Sequence, residues 1–234
     1  MINVEELLSL PKLGKDDTFA FGCNMCGKCC REREDILLTP LDLFKIAKYL
    51  NKSILEVISE YCEGYEGAES KIPVVRIKPR EYRRTCPFSK GKCLIHPVKP
   101  AVCALYPLGR MTNEETKEFT YFLQPVPCGN KKQTQTVRQW LDGFSILAEE
   151  EFTIMWHRRV GEISAILREL YSKLSFNHDA INSMLLLNLY VMYDLEKDFM
   201  PQFTDNCTEA LRLLEMIAGE VLHFQRFISP GGAG

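Results

Sequence analysis

The sequence predicts an α+β fold in two parts: a small, irregular, cysteine-rich domain with short strands over residues 1–130, followed by an α-helical bundle over residues 131–234. Three observations predict it. Nine of the ten cysteines fall between Cys23 and Cys128. In the same stretch the apolar runs are short and are interrupted by Pro, Gly and polar turns. From Val137 onward the apolar residues recur at helical spacing.

The elements follow in order. Arg31–Asp35 is a solvated polar run, and Ile36-Leu37-Leu38 reads as a short strand. Thr39 then suits a helix N-cap, Pro40 the first helical position and Asp42 the capping-box acid. Leu43, Phe44, Ala47 and Leu50 continue that helix on one face, and Ser53 with Glu56 repeats the signal for a second helix ending near Cys62. Ile72–Ile77 reads as an edge strand, because Pro73 cannot donate to a ladder. Ser89-Lys90-Gly91-Lys92 is a turn that folds Cys86 and Cys93 toward each other, and Pro100 begins a helical turn carrying Cys103.

A hairpin is predicted from Met111 to Leu123 around Thr112–Glu115, with Phe119, Tyr121 and Leu123 on one face; it delivers Cys128 beside Gly129. The polar stretch Asn130–Thr136 reads as a linker. Val137–Leu174 is then one long or one broken helix, with Gly143 and Gly161 as weak points. Asn177-His178-Asp179 starts the next helix. Thr204-Asp205-Asn206 caps the last, whose apolar stripe is Leu211, Leu214, Ala218, Val221 and Leu222.

The stretch Phe21–Cys30 holds Cys23, Cys26, Cys29 and Cys30. Sulfurs two residues apart converge on one ion or cluster, and this spacing recurs in zinc and iron–sulfur sites alike. Gly27 lets the backbone turn and aim amides at the sulfurs. Neighbouring side chains tend to diverge, so Cys29 and Cys30 are not expected to share one ion. Isolated Cys62 and Cys207 have apolar neighbours and read as packing residues, and His157, His178 and His223 have no ligand-like spacing to one another.

Charge adds a second signal. From Lys71 to Arg110 there are ten Lys or Arg against one acid, Glu81; from Leu141 to Glu220 there are fourteen acids against six bases. A basic stretch can bind nucleic acid, but this one carries Cys86, Cys93 and Cys103, so compensation of metal-bound thiolates is the preferred reading. Met1–Leu8 lacks the basic and apolar regions of a secretory signal, and the longest apolar run, Met184–Tyr193, is broken by Asn188 and short of the roughly 18 residues of a span. A soluble cytoplasmic protein without membrane contact is expected, and a disulfide framework is disfavoured.

The residues resemble the YkgJ-like cysteine-cluster proteins, a family described as zinc- or iron-chelating. The resemblance covers about the first 130 residues. It rests on Phe21-x-Cys23-x-x-Cys26-Gly27-x-Cys29-Cys30, on Leu38-Thr39-Pro40-x-Asp42 with Ile46-Ala47, and on Cys86-Pro87-Phe88, Cys93, Ile95-His96, Lys99-Pro100-x-x-Cys103, Tyr106-Pro107 and Cys128. In that family an aromatic residue often stands at the position of His96. The resemblance implies Cys23, Cys26, Cys29, Cys30, Cys86, Cys93, Cys103 and Cys128 as metal ligands, enough for two four-thiolate sites or for one site with spare sulfurs. A 4Fe-4S iron–sulfur cluster is the favoured cofactor, because Cys23-x-x-Cys26-x-x-Cys29 resembles the run of bacterial ferredoxins; zinc or iron ions are the alternative.

Three function classes follow: a metal-binding protein whose acidic helical part docks a protein partner, a cluster-dependent enzyme of redox or methyl-transfer chemistry by distant similarity to flagellin lysine-N-methylase, and a zinc-stabilised interaction module. The two blocks are expected to build shared sites, because Cys86, Cys93 and Cys103 are spaced too loosely to act without a fold that gathers them. There is no Gly-rich nucleotide loop, Ser/His/Asp order or HExxH motif in the chain.

Overall fold

The computed structural model describes residues 9–31, 36–82, 84–113, 116, 118–173 and 178–228. The polar run at Glu32–Asp35, the hairpin tip at Glu114 and Glu115, Asn177, and the tail Ser229–Gly234 lie outside them, as do the side chains of Val221, Leu222 and His223. The α+β expectation holds. Four small antiparallel sheets and several helices alternate along the first 136 residues, and the rest is helical.

Strands β1 (Lys12–Leu13) and β2 (Thr18–Ala20) lead to the first cysteine block, which ends in a 3₁₀ turn at Lys28–Cys30. Next come β3 (Leu37–Leu38), α1 (Pro40–Leu50), α2 (Ile54–Tyr61), β4 (Cys62–Glu66) and β5 (Pro73–Ile77). Both predicted capping boxes are present, Thr39 with Asp42 and Ser53 with Glu56. These signals are legible because each box needs only residues three apart.

Strand β5 differs from expectation: it is central, with the order β3-β5-β4. Pro73 is tolerated because it is the first residue of the strand, opposite Glu66, while β3 reaches only Val75 and Arg76. Cys62 likewise opens β4, opposite Ile77, after closing α2.

The second cysteine block folds as a tight hairpin, β6 (Ser89–Lys90) and β7 (Lys92–Cys93), turning at Gly91 with φ 76°. A 3₁₀ turn at His96–Val98 and helix α3 (Ala101–Leu105) follow. The predicted hairpin is β8 (Leu108–Thr112) and β9 (Phe119–Leu123), with β1 on its outer edge. The stretch read as a linker is hydrogen-bonded structure instead: β10 (Thr134–Thr136) pairs with β2, and Asn130 exchanges both backbone bonds with Gly22. Its polar residues face outward at a sheet edge, so composition alone resembles a linker.

The helices are α4 (Val137–Asp142), α5 (Glu150–Lys173), α6 (Asp179–Leu186) and α7 (Phe199–Ile228), with a π-helical turn at Leu187–Val191. The predicted break falls near Gly143, whereas Gly161 lies inside α5. Helix α7 begins five residues before its expected cap. Thr204 is internal, its hydroxyl donating to the Met200 carbonyl. The extra turn is held by packing: Phe199 and Phe203 stack 5.7 Å apart, Phe199 meets Phe44 of α1 at 5.2 Å, and Pro201 is tolerated in the first turn. Cys207 is consequently well inside the helix and fully buried.

Two apolar cores result. The larger joins Leu43, Ile46, Val57 and Val75 to Phe152, Trp156, Leu167, Phe203 and Leu214. The smaller gathers Phe19, Phe21, Leu105, Tyr121, Trp140 and Ile146. Ion pairs Lys45–Glu149 and Lys15–Glu150 fasten the first turn of α5 to both.

Asp42 links this frame to the second cysteine block. Its buried carboxylate accepts from the Thr39 amide and hydroxyl through one oxygen and from the Ala101 amide, at 2.8 Å, through the other. It thus anchors the start of α3, which carries Cys103. Loss of the Asp42 half of the capping box costs about 1 kcal/mol and the orphaned Ala101 amide roughly 1–3 kcal/mol. D42A is expected to lower unfolding stability by about 2–4 kcal/mol in urea titration; a change under about 1 kcal/mol would contradict this anchoring role.

Candidate metal centre

The first block lies between two supports. On one side Cys86 donates its amide to the Cys30 carbonyl at 2.9 Å, and Arg31 pairs with Thr85. On the other, Phe21 donates to the Gln133 carbonyl at 2.8 Å, and Gly22 donates to Asn130. Within the block Met25 and Gly27 take left-handed conformations, φ 50° and 68°. That turn aims the Met25 amide at the Cys23 sulfur, 3.4 Å away, which is the amide contact that tunes metal thiolates.

Phe21 and Trp140 set the far wall. Their rings meet edge to face at 5.5 Å, and the indole Nε1 donates to the Ala104 and Leu105 carbonyls at the end of α3. Gly129, φ 86°, lies against the Phe21 ring so closely that a Cβ would stand 2.1 Å from it. No other residue type brings Cys128 to this wall, and the Tyr106 hydroxyl meets its sulfur at 3.4 Å.

The outcome is one cleft, open to solvent on one side, whose lining includes Cys23, Cys26, Cys29, Cys30, Cys86, Cys93, Cys103 and Cys128. All eight residues singled out from the sequence are thus brought together. Cys62 and Cys207 are not part of the wall; both are buried in the larger core.

Cys29 and Cys30 differ from expectation. Their side chains do not diverge, because the 3₁₀ turn keeps both on the cleft side with sulfurs 4.0 Å apart. Among the described residues, no three Cys, His, Asp or Glu side chains converge tightly enough to grip an ion as they stand.

The electrostatics favour neutral thiols until a cation arrives. Burial pushes the Cys86 thiol up to about 11 and raises that of Cys93; Cys30 is raised by its contact with Cys29 and then by burial. Of the predicted basic run, Lys99 is the member that faces several sulfurs. Burial lowers its pKa while Cys23, Cys103, Cys29 and Cys93 pull it up, and its Nζ sits 3.7 Å from the Phe144 ring centroid. Arg80 acts on Cys86, whereas Arg76 is engaged by Glu63. Tyr106, Lys99 and His96 are cleft residues that cysteine spacing alone does not single out. Their signal is placement among the Cys93–Cys103 and Tyr106-Pro107 residues.

Residues 22–129 match the family model described as "CxxCxxCC: Putative zinc- or iron-chelating domain". This part of the chain is similar to the CxxCxxCC family. The match begins at Gly22 and ends at Gly129, the residues that flank the outermost cleft cysteines. The chain is also similar to an uncharacterized protein of Methanocaldococcus jannaschii, 30% identical over 105 residues, which is 44% of this chain and 52% of that one. The chain therefore spans about half the length of that curated relative. No solved structure matches. Among the described residues, no helix is long and apolar enough to cross a membrane.

Cys23 and Cys26 are exposed, whereas burial pushes the Cys62 and Cys207 thiols up to about 12. Iodoacetamide is expected to label Cys23 and Cys26 of the metal-free native chain quickly and to spare Cys62 and Cys207 until unfolding, as read by peptide mass spectrometry. C62A and C207A are expected to keep full metal content; loss of a metal equivalent in either would overturn the division of the cysteines.

Proposed function

We propose that the CxxCxxCC domain holds an iron–sulfur cluster of the 4Fe-4S type in its cleft. Cys23, Cys26 and Cys29 supply three thiolates, and the second block supplies the fourth ligand. The observation that carries this reading is the wall of the cleft: eight cysteines around it are more sulfur than one four-coordinate ion uses. The apolar residues among them, Phe21, Ile36, Ile77 and Ile95, suit a group whose potential depends on exclusion of water. Lys99 offsets the negative charge that bound thiolates bring. The remaining sulfurs are available for a second metal or for its delivery, and the acidic helical part is the surface for a protein partner.

A mononuclear zinc or iron site is the second reading, and one distance favours it. Two sulfurs on one tetrahedral zinc stand about 3.8 Å apart, given bonds of about 2.3 Å, and those of Cys29 and Cys30 are 4.0 Å apart.

Iron, zinc and acid-labile sulfide analysis of protein purified without oxygen, together with absorption and EPR spectra, separates the two. The cluster reading expects iron and sulfide in equal amounts and an EPR signal on reduction. Zinc without sulfide would overturn it in favour of the second reading. In either case C103A is expected to lose metal and to lower thermal stability, because both blocks wall the same cleft.

A further inference from the structure

His96 stands in the wall of the cleft between Cys93 and Cys103. Its Nε2 is buried and has no hydrogen-bond partner. Such groups are uncommon in folded proteins, because each forfeits its bonds to water without replacement. The neighbours of the ring do not supply one. Phe144 presents its ring edge-on at 5.7 Å, and the nearby ammonium of Lys99 is drawn over the face of that same Phe144 ring. The His96–Val98 turn and the Cys93 and Cys103 elements on either side hold the ring at the wall. His96 is itself among the residues that line the cleft, in company with its cysteines.

We propose that His96 Nε2 is a ligand of the metal held in this cleft, beside sulfurs of the second block, so that the centre is a mixed thiolate–imidazole site. This rests on the reading of the cleft as a metal site. Imidazole and thiolate together suit zinc and iron, and both ring and sulfurs come from one short stretch, Cys93 to Cys103. An imidazole also removes one negative charge relative to a fourth thiolate. In a redox centre that exchange raises the potential, as it does where His replaces Cys on iron–sulfur clusters.

Cobalt(II), exchanged without oxygen into the full chain, reports its donor set directly through its visible bands. The wild type is expected to show bands of a thiolate–imidazole site. H96A is expected to shift those bands and to bind cobalt at least about tenfold more weakly, the scale that loss of even an outer partner reaches. H96F keeps an aromatic ring against Phe144 without a donor. Folded by circular dichroism, it is expected to give the same shifted bands, which separates lost ligation from lost packing. All-thiolate bands in the wild type, or identical bands and affinity in wild type and H96F, would overturn the assignment while leaving the metal reading intact. Failure of cobalt to bind the wild type at all would overturn the thiolate–imidazole ion site assigned here, whereas the iron and sulfide analysis above tests the metal reading separately.

Discussion

Everything in this chain answers to one electrostatic constraint, the gathering of eight sulfurs around a single half-enclosed cleft. As thiolates they would repel one another at short range in a medium that screens poorly. As thiols they are neutral and stable, and burial holds those of Cys86 and Cys93 in that form. A metal resolves the conflict by replacing protons with a cation, so its binding must release protons and draw the sulfurs inward. Lys99, held near Cys23, Cys29, Cys93 and Cys103 by the Phe144 ring, places one fixed positive charge where the residual negative charge gathers.

The frame exists to keep the sulfurs within reach without closing the cleft. A backbone bond from Cys86 to Cys30, beside the pairing of Arg31 with Thr85, joins the two blocks across a long stretch of sequence. Asp42 fixes the helix that carries Cys103 from the side of the larger core, and Trp140 fixes its other end from the smaller one. The acidic first turn of α5 then ties the long helices to both cores through Glu149 and Glu150. Cleft geometry and helical packing therefore share these anchors.

Much of this was legible in the sequence where the signal is local. The capping boxes at Thr39 and Ser53 and the turn at Gly91 are each decided by a few neighbouring residues, and each reads correctly. The failures share another cause. Pro73 suggests an edge strand, but β5 is central because β3 is too short to need its missing donor. Thr204 resembles a cap, but the Phe199–Phe203 stack carries α7 past it. Asn130–Thr136 resembles a linker, but it pairs with a strand more than a hundred residues away. Tertiary contacts decide all three. His96 and Lys99 were named by position without a role, since only the fold shows that one has an orphaned nitrogen and the other a ring beneath it.

The central claim is that both cysteine blocks serve one metal centre. A crystal structure of the metal-loaded chain, with anomalous scattering recorded at the absorption edge of the bound metal, tests it most directly. The account predicts anomalous density inside the cleft, bonded to sulfurs of the Cys23–Cys30 block and to at least one of Cys86, Cys93, Cys103 or Cys128. Density bonded to sulfurs of one block alone, or placed outside the cleft, would contradict it.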